Sequence, residues 1–373
     1  MRIAVIGATG NVGTALLRRL ERAPGIDSVI GVARRIPHQD QEPYSLASWH
    51  ALDIGAPESQ PRLSEILADV DVVVHLAWVL QPNHDERVMF RTNVTGTENV
   101  LLAGAAAGVK QIVVASSVGA YSPGPKIRQV DESWPTGGVH TSHYSRHKAA
   151  VERLLDAFEA EHAQIVVSRL RPGLIFQRAA GTEVGRYFLG PLVPKFLAYK
   201  LTTPLLPLPP ELVFQAVHAD DVADAYWRVI EQRAPGAFNV VAEPVLTPPL
   251  VGWILGARRV IGLPLPVLRA LVSVTWHLRL QHSDPGWVDM GSQTPLLSAD
   301  KIRSQLGWAP AVSSVDAMVE VIQGMGHGDG FTGSPPLHPR GQLLGTASAG
   351  PGSRDQHPGA RNRRGGRKRR DLH

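Results

Sequence analysis

The chain has 373 residues, 43% of them apolar, which excludes a disordered polymer and allows one large α/β domain with a smaller lobe. It has no cysteine, which excludes disulfides, thiolate nucleophiles and zinc–thiolate sites, and no metal centre is expected. The net charge of +5 is a property of the tail, because residues 340–373 hold nine basic and two acidic side chains while residues 1–339 hold 29 and 31.

Residues 2–6 are apolar or β-branched apart from Arg2 and read as a buried strand. Gly7, Gly10 and Gly13 follow directly, and Thr14–Leu20 carries apolar residues at helical spacing. Strand, glycine turn and helix in that order are the context of a dinucleotide-binding turn. Gly7 serves the tight turn, Gly10 lets a pyrophosphate approach the backbone, and Gly13 lets the helix pack close. The N–H groups at the helix start would face the phosphates. The apolar start is too short for a secretory segment, so a cytoplasmic chain is expected.

Ser28–Ala33 reads as the second strand, closed by Arg34 and Arg35. An NAD-binding unit usually places a ribose-binding acid at this point, where the chain has Ala33. Two arginines there suit a 2′-phosphate, so NADP is favoured over NAD. Trp49–Ile54 reads as a third strand and Val70–Trp78 as a fourth, apolar enough to be buried on both faces. A helix begins near Glu86 and carries Asn93. Gln111–Ser117 is a fifth strand ending in Ser116 and Ser117, Ala149–Glu161 is a helix, and Ile165–Leu170 is a sixth strand. This alternation predicts a Rossmann-type doubly wound parallel sheet.

Past Pro172 the pattern loosens. Residues 181–214 are expected to form loops and short helices of a substrate lobe. Val217–Tyr226 reads as a strand end entering a helix, with Asp220 and Asp221 in its capping region. Helices are expected over 266–280, over 298–306 with Gly307 as the stop, and over 314–324. The apolar stretch 260–280 is broken by Pro264, Pro266, Arg269 and His277, so no membrane span is expected. The expected division is 1–175 for the cofactor domain with the catalytic residues, 176–325 for the substrate lobe, and 326–373 for a disordered basic tail.

Tyr144 and Lys148 are one helical turn apart and share a face. A phenol with a pKa of about 10 is a poor base at neutral pH, and a neighbouring ammonium favours the phenolate. Ser117, at the carboxyl end of a parallel strand, could hold a carbonyl or carbinol oxygen.

Together, Gly7–Gly13, Asp53-Ile54, His75-Leu76-Ala77, Asn93–Thr97, Ser116-Ser117, Tyr144–Lys148, Arg171-Pro172-Gly173, Val217–Ala223 and Leu306–Trp308 resemble the extended short-chain dehydrogenase/reductase superfamily, in its NAD-dependent epimerase/dehydratase branch. The resemblance spans residues 1–325 and makes Ser117, Tyr144 and Lys148 the catalytic trio. It implies that Thr9, Asn11 and Val12 join the glycines around the phosphates, and that Asp53 and Ile54 contact adenine. It places Leu76, Ala77, Trp78, Asn93, Ser116 and Pro172 beside the cofactor, with Lys148 on the nicotinamide ribose. Val118-Gly119 stands where the 4,6-dehydratases carry an acid pair, which disfavours water elimination. Arg171 stands where many nucleotide-sugar enzymes have Asn, as in reductase-like members.

Two kinds of function remain open: hydride transfer at a carbinol or ketone by an oxidoreductase or a sugar-nucleotide epimerase, or a non-catalytic cofactor sensor on the same fold. The substrate is expected to be a nucleotide sugar or similar molecule, or alternatively a hydrophobic ketone. Arg178 and Arg186 are candidate substrate-binding cations with Lys195 nearby, under an apolar cover over 187–214. A small-molecule substrate and a possible homodimer are the expected partners. A membrane is not expected, and the basic tail alone is a weak case for nucleic acid.

Overall fold

Alternate residues of the first strand enter different cores. Ile3 and Val5 pack into one apolar cluster, Ala4 into a second together with Ile6, as period-two side chains must on a sheet buried on both faces. The computed structural model describes residues 1–81, 84–188 and 205–339. In chain order the strands are β1 (Arg2–Ile6), β2 (Ser28–Ala33), β3 (Ala47–Ala51), β4 (Val72–His75), β5 (Gln111–Ala115), β6 (Gln129–Val130), β7 (Val166–Pro172), β8 (Leu174–Phe176), β9 (Leu205–Leu208), β10 (Ala216–His218), β11 (Gly236–Val240), β12 (Arg259–Gly262) and β13 (Leu296–Leu297). Seven of them form a sheet in the order β11-β7-β5-β4-β1-β2-β3, and every pair is parallel.

The helices Asn11–Glu21 and Ala219–Glu231 cover one face. Ser59–Ile66, Gly96–Ala106 and His143–Glu161 cover the other. Strand order reverses at β1, with β2 on one side and β4 on the other. A crevice therefore opens past the carboxyl ends of β1 and β4, where sheets of this type hold ligands.

The third strand lies at Ala47–Ala51, earlier than Trp49–Ile54. Its register is set by Trp49 facing Gly31, where a Cβ would come within 2.7 Å of the indole. The helix expected over Ala149–Glu161 starts at His143 and already contains Tyr144 and Lys148. β11 has no counterpart in the expected elements. Its sequence interrupts the apolar run with Asn239, which is buried and accepts a hydrogen bond from the Tyr121 hydroxyl at 2.7 Å.

The expected disordered tail begins too early at 326. The helix Ser314–His327 ends at Gly328 with φ 71°, and the chain then folds back over the molecule. Leu337 is fully buried, and the Phe331 N–H donates to the Leu337 carbonyl at 2.9 Å. The described residues form one compact unit. The part of the tail at 340–373 and the apolar cover at 189–204, with Lys195, lie outside the described residues. No helix among the described residues is long and apolar enough to cross a membrane.

Candidate functional site

Gly7 has φ 89°, and a Cβ there would lie 2.6 Å from the Ala77 backbone nitrogen. A Cβ at Gly13 would lie 2.6 Å from the Ala8 carbonyl. The first glycine therefore lets β1 and β4 diverge beside each other, and the last lets the helix seat on its own turn. A Cβ on Gly10 would meet only the Gly7 carbonyl, at 3.5 Å, so Gly10 leaves open space in front of the helix. That helix carries neither a side-chain cap nor an acidic residue in its first turn. Its leading N–H groups and positive dipole end face the opening.

The opening is a cleft of ≈ 200 Å³. Gly7, Thr9, Gly10, Arg34, Arg35, Ile54, Leu76, Ala77 and Trp78, all candidate cofactor-binding residues, line it together with Arg186. Val32, Leu52 and Ile54 give it an apolar slot at the β2 side, next to Arg34 and Arg35.

Other anticipated residues have different tasks. Asn11 donates to the Ile175 carbonyl at 3.2 Å and accepts from Gln177 at 2.5 Å, so it ties the glycine turn to β8. Val12 packs on the apolar core. Asp53 accepts from the Gly55 N–H at 3.0 Å and stands 3.7 Å from Arg91, while its neighbour Ile54 faces the cleft. Asn93 is buried and exchanges two hydrogen bonds with the Val79 backbone, at 2.8 and 2.9 Å, so it shapes the cleft wall through Val79. Ser116 donates to Glu152 at 2.5 Å, on the side away from the cleft. Pro172 is paired opposite Val240 inside the sheet. Arg171 forms a two-pronged pair with Glu152, at 2.8 Å for each prong. Arg178 is engaged by Asp329 at 2.6 Å, whereas Arg186 faces the cleft beside the Tyr187 ring.

Ser142 caps the helix His143–Glu161 by accepting from the Ser145 N–H. Ser145 in turn donates to the Gly119 carbonyl, which fixes the helix start against the end of β5. Ser117 accepts from the Gly119 N–H at 3.0 Å and lies close enough to the Tyr144 phenol to favour its ionised form. The Tyr144 ring covers Gly119, where a Cβ would lie 2.8 Å from Cε1 and 3.0 Å from the Met290 sulfur. Trp78 and Trp287 flank the ring at centroid distances of 5.7 and 5.0 Å. Burial pushes the phenol up to about 12, against the lowering effect of Ser117.

Lys148 is 3% exposed. Its ammonium donates to the Ala115 carbonyl at 2.7 Å and lies 3.5 Å from the centre of the Trp78 ring. Burial brings it down to about 7, against the opposing charge of Glu152. The expected lowering of the phenol by Lys148 is thus absent in this arrangement. The ammonium is held by a carbonyl and an indole, 5.9 Å from the Tyr144 ring centre.

The sequence reading missed Trp287 and Met290, which reach Tyr144 from the helix Gly286–Gln293. It also missed Glu183 and Tyr187, which line the cleft with Arg186. Their i, i+3, i+4 spacing on one helix was a usable signal. Burial raises Glu183 to about 7, against the charge of Arg186. Pro335 and Pro336 line the cleft from the segment expected to be disordered.

The sequence profile of the NAD dependent epimerase/dehydratase family matches residues 3–241. An uncharacterized protein of Mycobacterium tuberculosis is 29% identical over 320 residues, covering 85% of this chain; the chain spans 29% of that relative's length. The sterol-4-alpha-carboxylate 3-dehydrogenase of Candida albicans is 28% identical over 181 residues, covering 47% of this chain and 50% of that protein. Among solved structures, a dTDP-glucose 4,6-dehydratase of Streptomyces venezuelae with NAD bound superposes with a TM-score of 0.63 at 22% identity, over 87% of this chain and 96% of that one.

Proposed function

For a chain that belongs to the NAD-dependent epimerase/dehydratase family, we propose reversible hydride transfer at a carbinol or ketone, with Tyr144 as the acid/base. One observation carries this reading: the Tyr144 ring packs on Gly119, two residues past Ser117 at the end of β5, with Lys148 one turn along the same helix. The residues also fit a nicotinamide dinucleotide. A Cβ would fill the glycine cradle, the helix start is uncapped, and an apolar slot ends in two arginines. The nicotinamide, when bound, gives or takes the hydride.

The protein's own groups handle the oxygen and its proton. Ser117 holds the substrate oxygen by a hydrogen bond, and Tyr144 gives a proton to it on reduction or takes one on oxidation. With its pKa near 12, Tyr144 rests as the protonated donor, which suits the reductive direction. For oxidation Lys148 must leave the Ala115 carbonyl and the Trp78 face and approach the phenol.

An apolar ketone or carbinol is the favoured substrate. Trp78, Trp287 and Met290 surround the Tyr144–Gly119 contact, and Arg178 is occupied by Asp329. Arg186 in the cleft supports the second reading, a nucleotide sugar, because it is a cation available to a diphosphate. Water elimination of the 4,6-dehydratase kind is disfavoured, since a side chain at 119 would displace Tyr144. NADP is favoured by Arg34 and Arg35 at the cleft rim. The test is NADPH oxidation by wild type and Tyr144→Phe against hydrophobic ketones and nucleotide sugars. Dinucleotide binding with no turnover of any panel member would favour the sensor reading instead.

A further inference from the structure

The segment after Gly328 lies beyond the matched family region, yet it packs on the cofactor cleft. Ser334 Oγ donates to the Thr9 carbonyl in the glycine turn at 2.8 Å and accepts from the Leu337 N–H at 3.1 Å. The Gly333 carbonyl accepts from the His38 N–H at 3.1 Å, and Thr332 donates to Gln41 at 2.9 Å. Both partners lie in the loop that follows Arg34 and Arg35. The segment thus bridges the two chain stretches that would grip the phosphates and the adenosine. Pro335 and Pro336 stand between these ties and face the cleft. Proline is a stiff wall element, with φ fixed and no N–H to satisfy, so it needs no reordering when a ligand arrives. The seat is tight at Gly333, where a Cβ would lie 2.9 Å from the movable Gln41 side-chain oxygen and 3.1 Å from the buried Tyr44 ring, so a branched side chain would push the segment outward.

We infer that residues 331–337 form a strap that walls the adenosine end of the cleft and sets cofactor affinity by clamping the glycine turn to the loop after β2. This rests on the cleft being a dinucleotide site. The full-length chain is tested with Gly333→Val, which lifts the strap, and with Ser334→Ala, which removes its tie to Thr9 at less risk to folding. Dissociation constants are measured for NADPH, for 2′,5′-ADP and for nicotinamide mononucleotide. Both variants should weaken NADPH and 2′,5′-ADP by about tenfold and leave nicotinamide mononucleotide unchanged. If Gly333→Val does not fold, Ser334→Ala alone decides. Unchanged constants for 2′,5′-ADP, or equal weakening of all three ligands, would overturn the inference. A wild-type chain that binds none of them would overturn the dinucleotide reading itself, and the strap with it.

Discussion

Tyr144 carries its proton at neutral pH because burial holds it near 12. Tyr144→Phe keeps the ring on Gly119 and removes only the proton-carrying oxygen. Turnover should fall by about 10²–10⁴, with the NADPH dissociation constant unchanged by calorimetry. Wild-type rates in that variant would remove Tyr144 from the chemistry. Lys148 makes a prediction with the opposite sign for stability. Its folded pKa of about 7 lies below the unfolded value of about 10.4. Between those values the unfolded chain binds more protons, so stability rises with pH across that window; below about 7 the cost of the buried ammonium is fully present. Lys148→Met should therefore melt higher than wild type at pH 6, lose that advantage towards pH 10, and be inactive. A lower melting temperature at pH 6 would contradict the buried-cation account. The Ser117–Tyr144–Lys148 trio was legible because its members share one helix and the strand end it packs on. Trp287 and Met290 were not, because they meet Tyr144 and Gly119 only through a fold contact from a distant helix with no pattern of its own.

Among the elements, the turn after β2 is the place where the proposed preference for NADP is tested. An exposed arginine pair at the cleft rim would give charge-assisted contacts to a 2′-phosphate that NADH lacks. The double substitution Arg34→Ala, Arg35→Ala should weaken NADPH by about 1.5–3 kcal/mol and barely alter NADH. Equal wild-type dissociation constants for NADH and NADPH at low salt would end this assignment. The strand–turn–helix unit at the N-terminus was legible because Gly7 and Gly13 answer to two separate steric needs and Gly10 leaves the space in front of the helix open. β11 was hidden because a buried strand can carry a polar residue if the fold supplies its partners. Asn239 bonds Tyr121, its N–H donates to Glu132 at 2.8 Å, and its amide donates to the Ser298 carbonyl at 3.1 Å. The segment 331–339 was hidden for a related reason: Gly, Ser and Pro look like a linker until one leucine and a set of backbone ties anchor them.

Across the whole molecule, the helix that carries Tyr144 and Lys148 is tied to the sheet by a buried charge cluster. Glu152 is 1% exposed and lies one turn past Lys148. It takes both prongs of Arg171 at 2.8 Å and one nitrogen of Arg169 at 3.0 Å. Arg171 continues to the Tyr121 hydroxyl and the Glu132 carbonyl, both at 3.0 Å, and Tyr121 reaches Asn239 on β11. One carboxylate thus joins the helix to β7 and, through Tyr121, to the sheet edge. Burial alone would raise the Glu152 pKa, but the hydrogen bonds and charge of Arg171, with Arg169, bring it below the usual value. A carboxylate lowered on folding adds stability above its unfolded pKa, and that stability is lost as pH falls through the folded value. Glu152→Ala leaves two guanidinium groups buried without it and should cost about 3–5 kcal/mol, the range for breaking a buried pair. Glu152→Gln keeps the volume and the contact with Ser116 but removes the charge that opposes the burial of Lys148. It should therefore melt below wild type and also bring the Lys148 pKa lower still. The two effects separate by measurement. Calorimetry at pH 7 reads the loss of the cluster, and the pH profile of turnover reads the shift of Lys148. A Glu152→Gln protein that melts with wild type would show that the cluster does not hold the helix. A lowered melting point with an unmoved pH profile would show that Glu152 supports the helix without tuning Lys148.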